Sequence, residues 1–447
     1  MNILLIGNGA REHAIAEAIM RSRHNPVLLA YMKTNNPGIA AIAEKSGGTV
    51  AIGDYGDLPK IVGCAQAHGV KLAVIGPEDP LADGVADALK KVGIPTVGPK
   101  KKLAQLESSK WFARNLLDRN DIPGNPWWRH FTDKGALAKC VRELFANNIP
   151  LVLKPDGLTG GKGVMVQNDH FTSTDQAIAL AEEMFEYHQI VLVEEKLEGE
   201  EFSLQCLTDG KTVVATPPVQ DHKRRLNGDQ GLNTGGMGSY SCADHLLPFL
   251  TPEELNQALN IVRKTVRAVS TGDFPYRGII YGGFMLTASG VKLIEFNVRF
   301  GDPEAMNILP LLKTDFVDIC LAIVNGTLDK LNVQFENLAT VCKYVVPVNY
   351  GMPVNQHVPT ESNLIRIGNL GEATLYHSLI YSDETGLHMT SSRAVAVLGT
   401  SPDLAEAERI AEKAVQAIKG DVAHRSDIGT AALIAKRVRH MEELRGK

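Results

Sequence analysis

A glycine-rich loop between two apolar runs constrains the fold most, because it predicts a strand–loop–strand hairpin over residues 151–166. Four glycines within seven residues leave backbone N–H groups open to an anion. Lys162 in the loop and Lys154 on the first strand add positive charge, so the hairpin suits a polyphosphate. A Walker A loop is excluded, since no Ser or Thr follows Lys162 and an apolar strand stands where that motif needs a helix. An ordinary glycine-rich hairpin with solvated lysines is the alternative.

The composition is that of a folded protein acting on small molecules. With 447 residues, the chain is expected to form about three domains. Its 44% hydrophobic and 22% charged residues exclude extensive disorder. The net charge of −5, with acidic and basic residues interleaved, argues against a nucleic-acid surface. No uninterrupted apolar run reaches about 18 residues, so we expect no membrane-spanning helix.

The first residues and the cysteines indicate the cytoplasm. The opening MNILLIG has no basic flank and runs into a glycine turn, which is unlike a secretion signal. Six cysteines are scattered without a CxxC pair, a pattern that favours a reducing compartment and predicts no zinc site. We therefore expect a cytoplasmic protein, monomeric or homodimeric, without nucleic-acid or membrane partners.

Residues 1–103 alternate short apolar runs with helical patterns, which predicts parallel βαβ units. The first turn half-matches a dinucleotide fingerprint, but Glu12 replaces the third glycine and the second strand ends at Tyr31, where a ribose-binding acid is expected. A nicotinamide cofactor is therefore not favoured. The turn can still hold a phosphate at the N-terminus of the following helix, with Arg11 supplying charge. Glu78 follows another strand, where open sheets bind ligands, although a proline-stiffened connection would look the same.

Helical patterns over 134–147 and 174–187 flank the hairpin, so this region is expected to form a small projecting unit. The strand that follows ends in Glu194 and Glu195. At the edge of a lid, these residues suit a hinge whose backbone reads an adenine edge while a carboxylate binds ribose. A strand end with solvated acids is the alternative. Lys110, on an earlier helix, could reach phosphates or be solvated.

Residues 220–240 are a second polar concentration. They combine basic side chains, an amide, a hydroxyl and open glycine backbone, a mixture that suits a site for an anionic substrate. A mobile, disordered loop would have the same composition.

Residues 292–304 are a third polar concentration. Side chains two residues apart share one face of a strand, so Glu295, Asn297 and Arg299 are expected to point together. Ile294 and its alternating apolar neighbours are expected to point into the core. A carboxylate and an amide oxygen suit Mg²⁺, and Arg299 would neutralise a transferring phosphoryl group. Polar alternation on a half-exposed strand is the alternative.

These stretches resemble the ATP-grasp ligases and, among them, the phosphoribosylamine-glycine ligase family. They occur in the family's order and span almost the whole chain. The departures from the family's pattern are Ala10, Pro155, Thr159, Ser391 and Ser392, and none of them removes a residue with an obvious chemical role. The matching stretches are GNGAREHA, IGPEDPL, ESSK, LVLKPDGLTGGKGV, VEEKLEGEE, QDHKRRLNGDQGLNTGGMGSY, KLIEFNVRFGDPE, SSRAVAV and HRSDIG.

The resemblance implies an α/β fold of three parts. A pre-ATP-grasp domain with an open parallel sheet is expected at residues 1–103. An ATP-grasp body is expected at 104–330, with a small α+β lid at 134–193. Residues 331–447, which contain no catalytic constellation, are expected to form an α+β closing domain.

The resemblance also implies ATP-dependent ligation of glycine to 5-phosphoribosylamine in de novo purine biosynthesis. The products would be glycinamide ribonucleotide, ADP and phosphate, formed through glycyl phosphate. ATP and Mg²⁺ or Mn²⁺ are the expected cofactors. Two alternatives stay open: a ligase for a different carboxylate and amine, and a nucleotide-binding regulator without turnover.

Site residues are assigned on the same basis. Arg299, with the amides of Gly236 and Gly238, is expected to stabilise the transferring phosphoryl group. Glu295 and Asn297 are the expected metal ligands. The expected ATP contacts are Lys110, Lys154, Gly161, Lys162, Gly163, Glu194, Glu195 and Leu197, and the expected substrate contacts are Arg11, Glu78, Asp229, Asn233 and Thr234.

Overall fold

The computed structural model describes residues 1–160, 163–272 and 274–446. Its N-terminal part alternates strands with helices. In chain order the elements are β1 (Asn2–Ile6), α1 (Ala10–Met20), β2 (Val27–Met32), α2 (Pro37–Lys45), β3 (Thr49–Ile52), α3 (Leu58–Ala67), β4 (Leu72–Ile75), α4 (Glu78–Asp83), α5 (Val85–Lys91) and β5 (Thr96–Val97).

These five strands form one parallel sheet in the order β3-β2-β1-β4-β5. The predicted parallel βαβ units are thereby confirmed. β1 and β4 are buried almost throughout, as expected of a parallel sheet covered by its crossover helices. Because β1 and β4 are neighbours, the turns after them lie side by side at the carboxyl edge, and Arg11 and Glu78 follow those turns.

A small antiparallel unit follows two connecting helices. Its sheet has the order β6-β9-β7-β8 and encloses an apolar core of its own, as expected of a lid. The elements are α6 (Lys101–Ser108), α7 (Lys110–Arg119), β6 (Trp128–Phe131), α8 (Lys134–Ala146), β7 (Leu151–Pro155), β8 (Met165–Val166), α9 (Thr174–Tyr187) and β9 (Val191–Glu195).

The central body is built on an antiparallel sheet of order β11-β10-β16-β17, on which a long amphipathic helix packs. The elements are β10 (Glu200–Thr208), β11 (Val213–Ala215), β12 (Gln220–Asp221), β13 (Arg224–Leu226), β14 (Gln230–Asn233), β15 (Gly238–Ser241), α10 (Pro252–Val269), β16 (Gly278–Thr287), β17 (Gly290–Asn297), α11 (Glu304–Ile308) and α12 (Phe316–Asn325). Short 3-10 turns lie at Asn227–Asp229, Leu309–Leu311, Leu328–Lys330 and Val354–Gln356.

β17 contains a bulge. Gly283 pairs with Glu295 whereas Phe284 pairs with Leu293, so the register shifts at Ile294. Leu293 is fully buried, and Ile294 is only half-buried. The expectation that Ile294 points into the core is therefore wrong, because the extra residue of a bulge reverses the alternation on its N-terminal side. Beyond the bulge the alternation is as predicted.

The C-terminal part shares a sheet with the central body. β12 and β15 continue into C-terminal strands in the order β12-β15-β18-β23-β20, so both ends of the polar segment 220–241 are built into that sheet, while β13 and β14 between them pair with each other. Among the described residues, no helix is both long and apolar enough to cross a membrane. The elements are β18 (Ala339–Pro347), β19 (Leu364–Ile367), β20 (Thr374–His377), β21 (Ile380–Asp383), β22 (Gly386–Met389), β23 (Val395–Ser401), α13 (Leu404–Gln416), β24 (Ile418–Lys419), β25 (Val422–Ala423) and α14 (Ala431–Leu444).

Candidate active site

The carboxylate expected to bind metal lies where three lysines converge. Glu295 is on β17, opposite Gly283, which has no side chain to cover it. Burial by itself would raise the pKa of Glu295, but the charges of Lys223, Lys154 and Lys110 hold it below its usual value. The structure thus brings a lysine of the glycine-rich hairpin and a carboxylate from a distant strand to one place.

The two described lysines expected at the phosphates are held close together. Lys110 Nζ donates to the carbonyl of Gly157 at 2.8 Å, and Lys154 Nζ donates to Glu194 Oε2 at 2.7 Å. Burial lowers the pKa of Lys110, and the ammonium group of Lys154 acts in the same direction. Since neighbouring ammonium groups in a dehydrated site repel each other, this arrangement favours a bound polyanion.

The described part of the glycine-rich loop ends at Gly160 and resumes at Gly163. Gly161 and Lys162, both expected at the phosphates, lie outside the described residues. A side chain at the next position, Gly163, would begin 2.8 Å from Pro155 Cγ and 3.1 Å from Thr159 Cγ2. Glycine at this position therefore lets the loop fold tightly against the end of β7.

Glu194 has a different task from the expected one. Its carboxylate oxygens accept from Arg114 Nε and Nη2, each at 2.8 Å, and Oε2 also accepts from Lys154. The side chain is 3% exposed. Burial would raise the pKa of Glu194, but Arg114 and Lys154 lower it from 4.5 to about 2. Two cations occupy the carboxylate, which corrects the expectation that it binds ribose.

The residues at the end of β9 form hydrogen bonds with neighbouring segments of the chain. The N–H of Glu195 donates to Trp127 O at 3.0 Å, and its Oε1 accepts from Trp127 N at 2.8 Å. Lys196 N donates to Pro150 O at 2.9 Å. The Glu195 amide and carboxylate are therefore both engaged with Trp127, and Glu195 stays a predicted nucleotide contact. Leu197, half-buried, follows these paired residues and stays a predicted nucleotide contact.

Two carboxylates hold Arg299 beside Asn297, whose amide oxygen is an expected metal ligand. Its Nε lies 3.1 Å from Glu78 Oε2, and its Nη2 lies 2.9 Å from Glu107 Oε1. Nη2 also donates to Asn297 Oδ1 at 3.2 Å. The charge of Arg299 lowers the pKa of Glu78 to about 2. Glu78 thus orients Arg299, and it stays a predicted substrate contact.

Glu107 is a site residue that the sequence did not single out. It lies near the end of α6 and accepts from Val298 N at 2.8 Å as well as from Arg299. Burial raises its pKa to about 7, and the charge of Glu78 on the same guanidinium acts in that direction. Its place in the stretch ESSK, three residues before Lys110, was the only available signal.

In the turn between β1 and α1, the charged side chains pair with each other. Glu12 Oε2 accepts from Gly9 N at 2.6 Å, and Glu12 Oε1 accepts from Arg11 Nε at 2.5 Å. Arg11 is buried, and its Nη1 donates to Phe300 O at 3.1 Å. Glu12 thus lies at the N-terminus of α1 and pairs with Arg11, and Arg11 stays a predicted substrate contact.

Asp229 pairs with the C-terminal part. Its Oδ1 accepts from Arg425 Nη1 at 3.1 Å, and its Oδ2 accepts from Arg437 Nη2 at 2.6 Å. Both oxygens are thus engaged within the protein, and Asp229 stays a predicted substrate contact. Asn233 lies half-buried on β14, opposite Arg224, and stays a predicted substrate contact.

The glycine turn of residues 235–238 is required by packing. Gly236 N donates to Thr234 Oγ1 at 3.1 Å, which places Thr234 inside the turn, and the role of the Gly236 and Gly238 amides stays a prediction. A side chain on Gly238 would begin 2.2 Å from Cys342 O, so β15 and β18 approach each other only with glycine there.

Arg393, in the C-terminal part, forms hydrogen bonds with this turn. Its Nη1 donates to Gly235 O at 2.7 Å, Gly236 O at 3.2 Å and Asp302 O at 3.0 Å. The guanidinium carbon also lies 4.3 Å from the ring centroid of Tyr344. The C-terminal part therefore holds the glycine turn against the loop that follows Arg299.

Other clusters do not compete as a metal centre. Among the described residues, one group of three His, Cys, Asp or Glu side chains is close enough to share an ion, namely His24, Asp315 and Asp318. Asp315 Oδ1 caps α12 by accepting from Val317 N, and Asp318 Oδ1 lies 2.6 Å from His24 Nε2. Two surface cavities of about 420 and 430 Å³ are lined by other residues.

Known proteins match this chain over its full length. The family described as phosphoribosylglycinamide synthetase, N domain, matches residues 1–107, and its ATP-grasp (A) domain matches residues 108–305. The phosphoribosylamine–glycine ligase of Methanococcoides burtonii is 48% identical over 445 residues, covering 100% of both chains. That of Methanocaldococcus jannaschii is 48% identical over 449 residues, again covering 100% of both.

Solved structures agree with these matches. The phosphoribosylamine–glycine ligase of Thermotoga maritima superposes with a TM-score of 0.76 at 25% identity, covering 96% of this chain and 100% of that one. The biotin carboxylase domain of Hydrogenobacter thermophilus 2-oxoglutarate carboxylase, solved with MgADP, ADP and bicarbonate, has a TM-score of 0.72 at 16% identity. It covers 100% of this chain and 95% of its own, and it shows likeness of fold alone.

Proposed function

This chain belongs to the phosphoribosylglycinamide synthetase family, and on that premise we propose that its site joins glycine to 5-phosphoribosylamine with ATP. The products are glycinamide ribonucleotide, ADP and phosphate, and the reaction is a step of purine biosynthesis. The convergence of Lys110 and Lys154 on Glu295 is the observation that carries the proposal. It supplies, in one place, cations for a triphosphate and an oxygen ligand for a divalent cation.

The chemistry explains why such a site needs ATP. A carboxylate oxygen is a poor leaving group, so an amine cannot displace it directly. Phosphorylation of the glycine carboxylate gives glycyl phosphate, and attack of the sugar amine on the acyl carbon then expels phosphate. Catalysis of this kind consists mainly of positioning and electrostatic stabilisation, so no nucleophilic Ser or Cys is required.

Glu295 and Asn297 fit a divalent cation such as Mg²⁺ or Mn²⁺. The lowered pKa of Glu295 keeps its carboxylate ionised, and Asn297 offers an amide oxygen two residues further along β17. Such hard oxygen ligands suit a cation that also binds substrate phosphates. When bound, the cation would neutralise charge on the phosphates.

Arg299 is proposed to stabilise the transferring phosphoryl group. Glu78 and Glu107 fix its guanidinium from two sides, so little reorganisation is needed as charge develops. The lid supports the proposal because an acyl phosphate hydrolyses in water. Closure of the glycine-rich hairpin over Lys110 and Lys154 would exclude water from the intermediate.

The experiment that tests this function measures ADP formation while each substrate is omitted in turn. ADP is expected to form at the full rate only when ATP, a divalent cation, glycine and 5-phosphoribosylamine are all present. Full ADP formation with another amino acid or another amine would contradict the assigned substrates. Absence of turnover with all components present would favour a regulator that binds nucleotide.

A further inference from the structure

A carboxylate that none of these roles uses lies beside the candidate site. Asp221 ends β12 and is half-buried. Its Oδ1 is shielded from solvent and has no hydrogen-bond partner among the described residues. The turn at Gly236 packs directly on it, since a side chain there would begin 2.7 Å from this oxygen. A buried acceptor without a donor is costly, so it indicates a group that the structure does not contain.

A second acid faces Asp221. Glu304, the first residue of α11, is 3% exposed. Burial raises the pKa of Asp221 well above its usual value, and the charge of Glu304 raises it further. Burial raises the pKa of Tyr281, and the charges of Glu304, Asp221 and Glu295 raise it further. A side chain on Gly301 would begin 2.3 Å from Glu304 Oε2 and 3.0 Å from the ring of Tyr281, so Glu304 packs beside that phenol.

The cations nearby are committed to other partners. Lys223 Nζ donates to Glu201 Oε2 at 3.1 Å. The Nη1 of Arg393 is engaged by backbone carbonyls, and its Nη2 lies 3.2 Å from Asp302 Oδ1. The charges of Lys223 and Arg393 oppose the rise in the pKa of Asp221, but neither cation forms a hydrogen bond with its Oδ1.

A second polar side chain in the same region is also incompletely bonded. Gln205 is 1% exposed, and its Oε1 accepts from Gly301 N at 2.8 Å, three residues before Glu304. Its Nε2 has no partner among the described residues. Gln205 pairs across the sheet with Tyr281, the residue that contacts Glu304. Gln205 Nε2 and Asp221 Oδ1 are thus both shielded polar atoms without a partner among the described residues.

We propose that Asp221 and Glu304 form the subsite for the ammonium group of the amino-acid substrate, with the substrate carboxylate directed towards Glu295 and Arg299. This inference rests on the proposed function. An ammonium group donates three hydrogen bonds and carries the positive charge that two adjacent acids lack. The charges of both Asp221 and Glu295 act on Lys223, so the two carboxylates lie near the same ammonium group. An amino acid that binds there would therefore present its carboxylate to the phosphoryl group.

The test compares glycine with glycolate, which has a hydroxyl in place of the ammonium group. Asp221→Asn and Glu304→Gln keep the side-chain shape and remove the charge. Each should raise the KM for glycine about 10- to 100-fold, the range of a lost charge-assisted hydrogen bond, and leave the KM for ATP within about twofold. The ratio of kcat/KM for glycine to that for glycolate should fall at least about tenfold. Asp329→Asn, on the exposed turn Leu328–Lys330, is the matched control and should change neither value.

Thermal unfolding midpoints and ADP affinity, measured on the same samples, identify a variant that has lost its fold, and the other acid variant then carries the test. An unchanged KM for glycine in the folded variants overturns the subsite. Equal losses for glycine and glycolate also overturn it, because they indicate a general disturbance. ADP formation by the wild-type protein that does not require glycine overturns the proposed function instead.

Discussion

Replacing Glu194 by Gln tests how β9 is joined to Lys154 on β7, the lysine expected to contact phosphates. Gln keeps the size of the side chain and removes its charge. Arg114, which is 3% exposed on its side chain, and Lys154 would then lack the carboxylate that both contact. We expect the change to destabilise β7 and β9, which carry Lys154 and Glu194.

The magnitude follows from the pKa of Glu194, which Arg114 and Lys154 lower from 4.5 to about 2 against the opposing effect of burial. One pKa unit corresponds to about 1.36 kcal/mol, so the ionised carboxylate contributes about 3 kcal/mol to the folded state. Loss of one partner from a buried ion pair costs about 3–5 kcal/mol, in agreement with this value. Because the pKa is depressed, the contribution is present above pH 4.5 and disappears as the pH falls towards about 2.

Hydrogen exchange of the amides in β7 and β9 measures this opening directly. A loss of about 3 kcal/mol should accelerate their exchange about 100-fold or more at neutral pH. Amides of the N-terminal parallel sheet should exchange at the wild-type rate, since that sheet has a separate core.

Glu195→Gln is the matched control. Glu195 is the next residue, and its carboxylate accepts one hydrogen bond from Trp127 N, which the amide oxygen of Gln can also accept. Exchange in this variant should stay within about threefold of the wild type, which corresponds to less than about 0.7 kcal/mol. Equal exchange rates in the Glu194 and Glu195 variants would refute the reasoning, because the buried ion pairs would then contribute nothing to the lid.

Three further changes test other parts of the site. Glu295→Gln should abolish ADP formation while the fold survives, and undiminished activity would contradict the metal assignment. Gly238→Ala should lower that midpoint, because its Cβ would begin 2.2 Å from Cys342 O and overpacking costs about 1–3 kcal/mol; an unchanged midpoint would show that the strands can separate. Glu107 has a raised pKa of about 7, so ionising it opposes folding and wild-type stability should fall as the pH rises from 4.5 through 7. Glu107→Gln should reduce this fall, and identical pH profiles of unfolding would disprove the shift.

Local patterns were sufficient for the elements of the fold. Alternating apolar runs predicted the parallel sheet of residues 1–103, and the helical patterns over 134–147 and 174–187 predicted α8 and α9. Ile294 shows where such patterns fail, because a bulge is set by pairing with the neighbouring strand. A period of two residues cannot reveal an extra residue in the ladder.

Local patterns could not predict which charged side chains are already paired within the protein. Glu194, Asp229 and Arg11 have the residue types that bind substrates, yet each is neutralised by a partner. The partners Arg114, Arg425 and Glu12 were all visible in the sequence, but two of them lie far along the chain or on another element. Whether a charge is free depends on which groups the packing brings within hydrogen-bonding distance.

The sequence alone determined the family, the order of the parts and the residue types of the candidate site, because these depend on local spacing of glycine, lysine and carboxylate. Tertiary structure decided which of those groups remain available. It placed Lys110 and Lys154 beside Glu295, and it left Asp221 beside Glu304 without a cation bonded to its Oδ1. Charges interact over a few ångströms of space, whatever their separation along the chain, so only the folded molecule shows which of them meet.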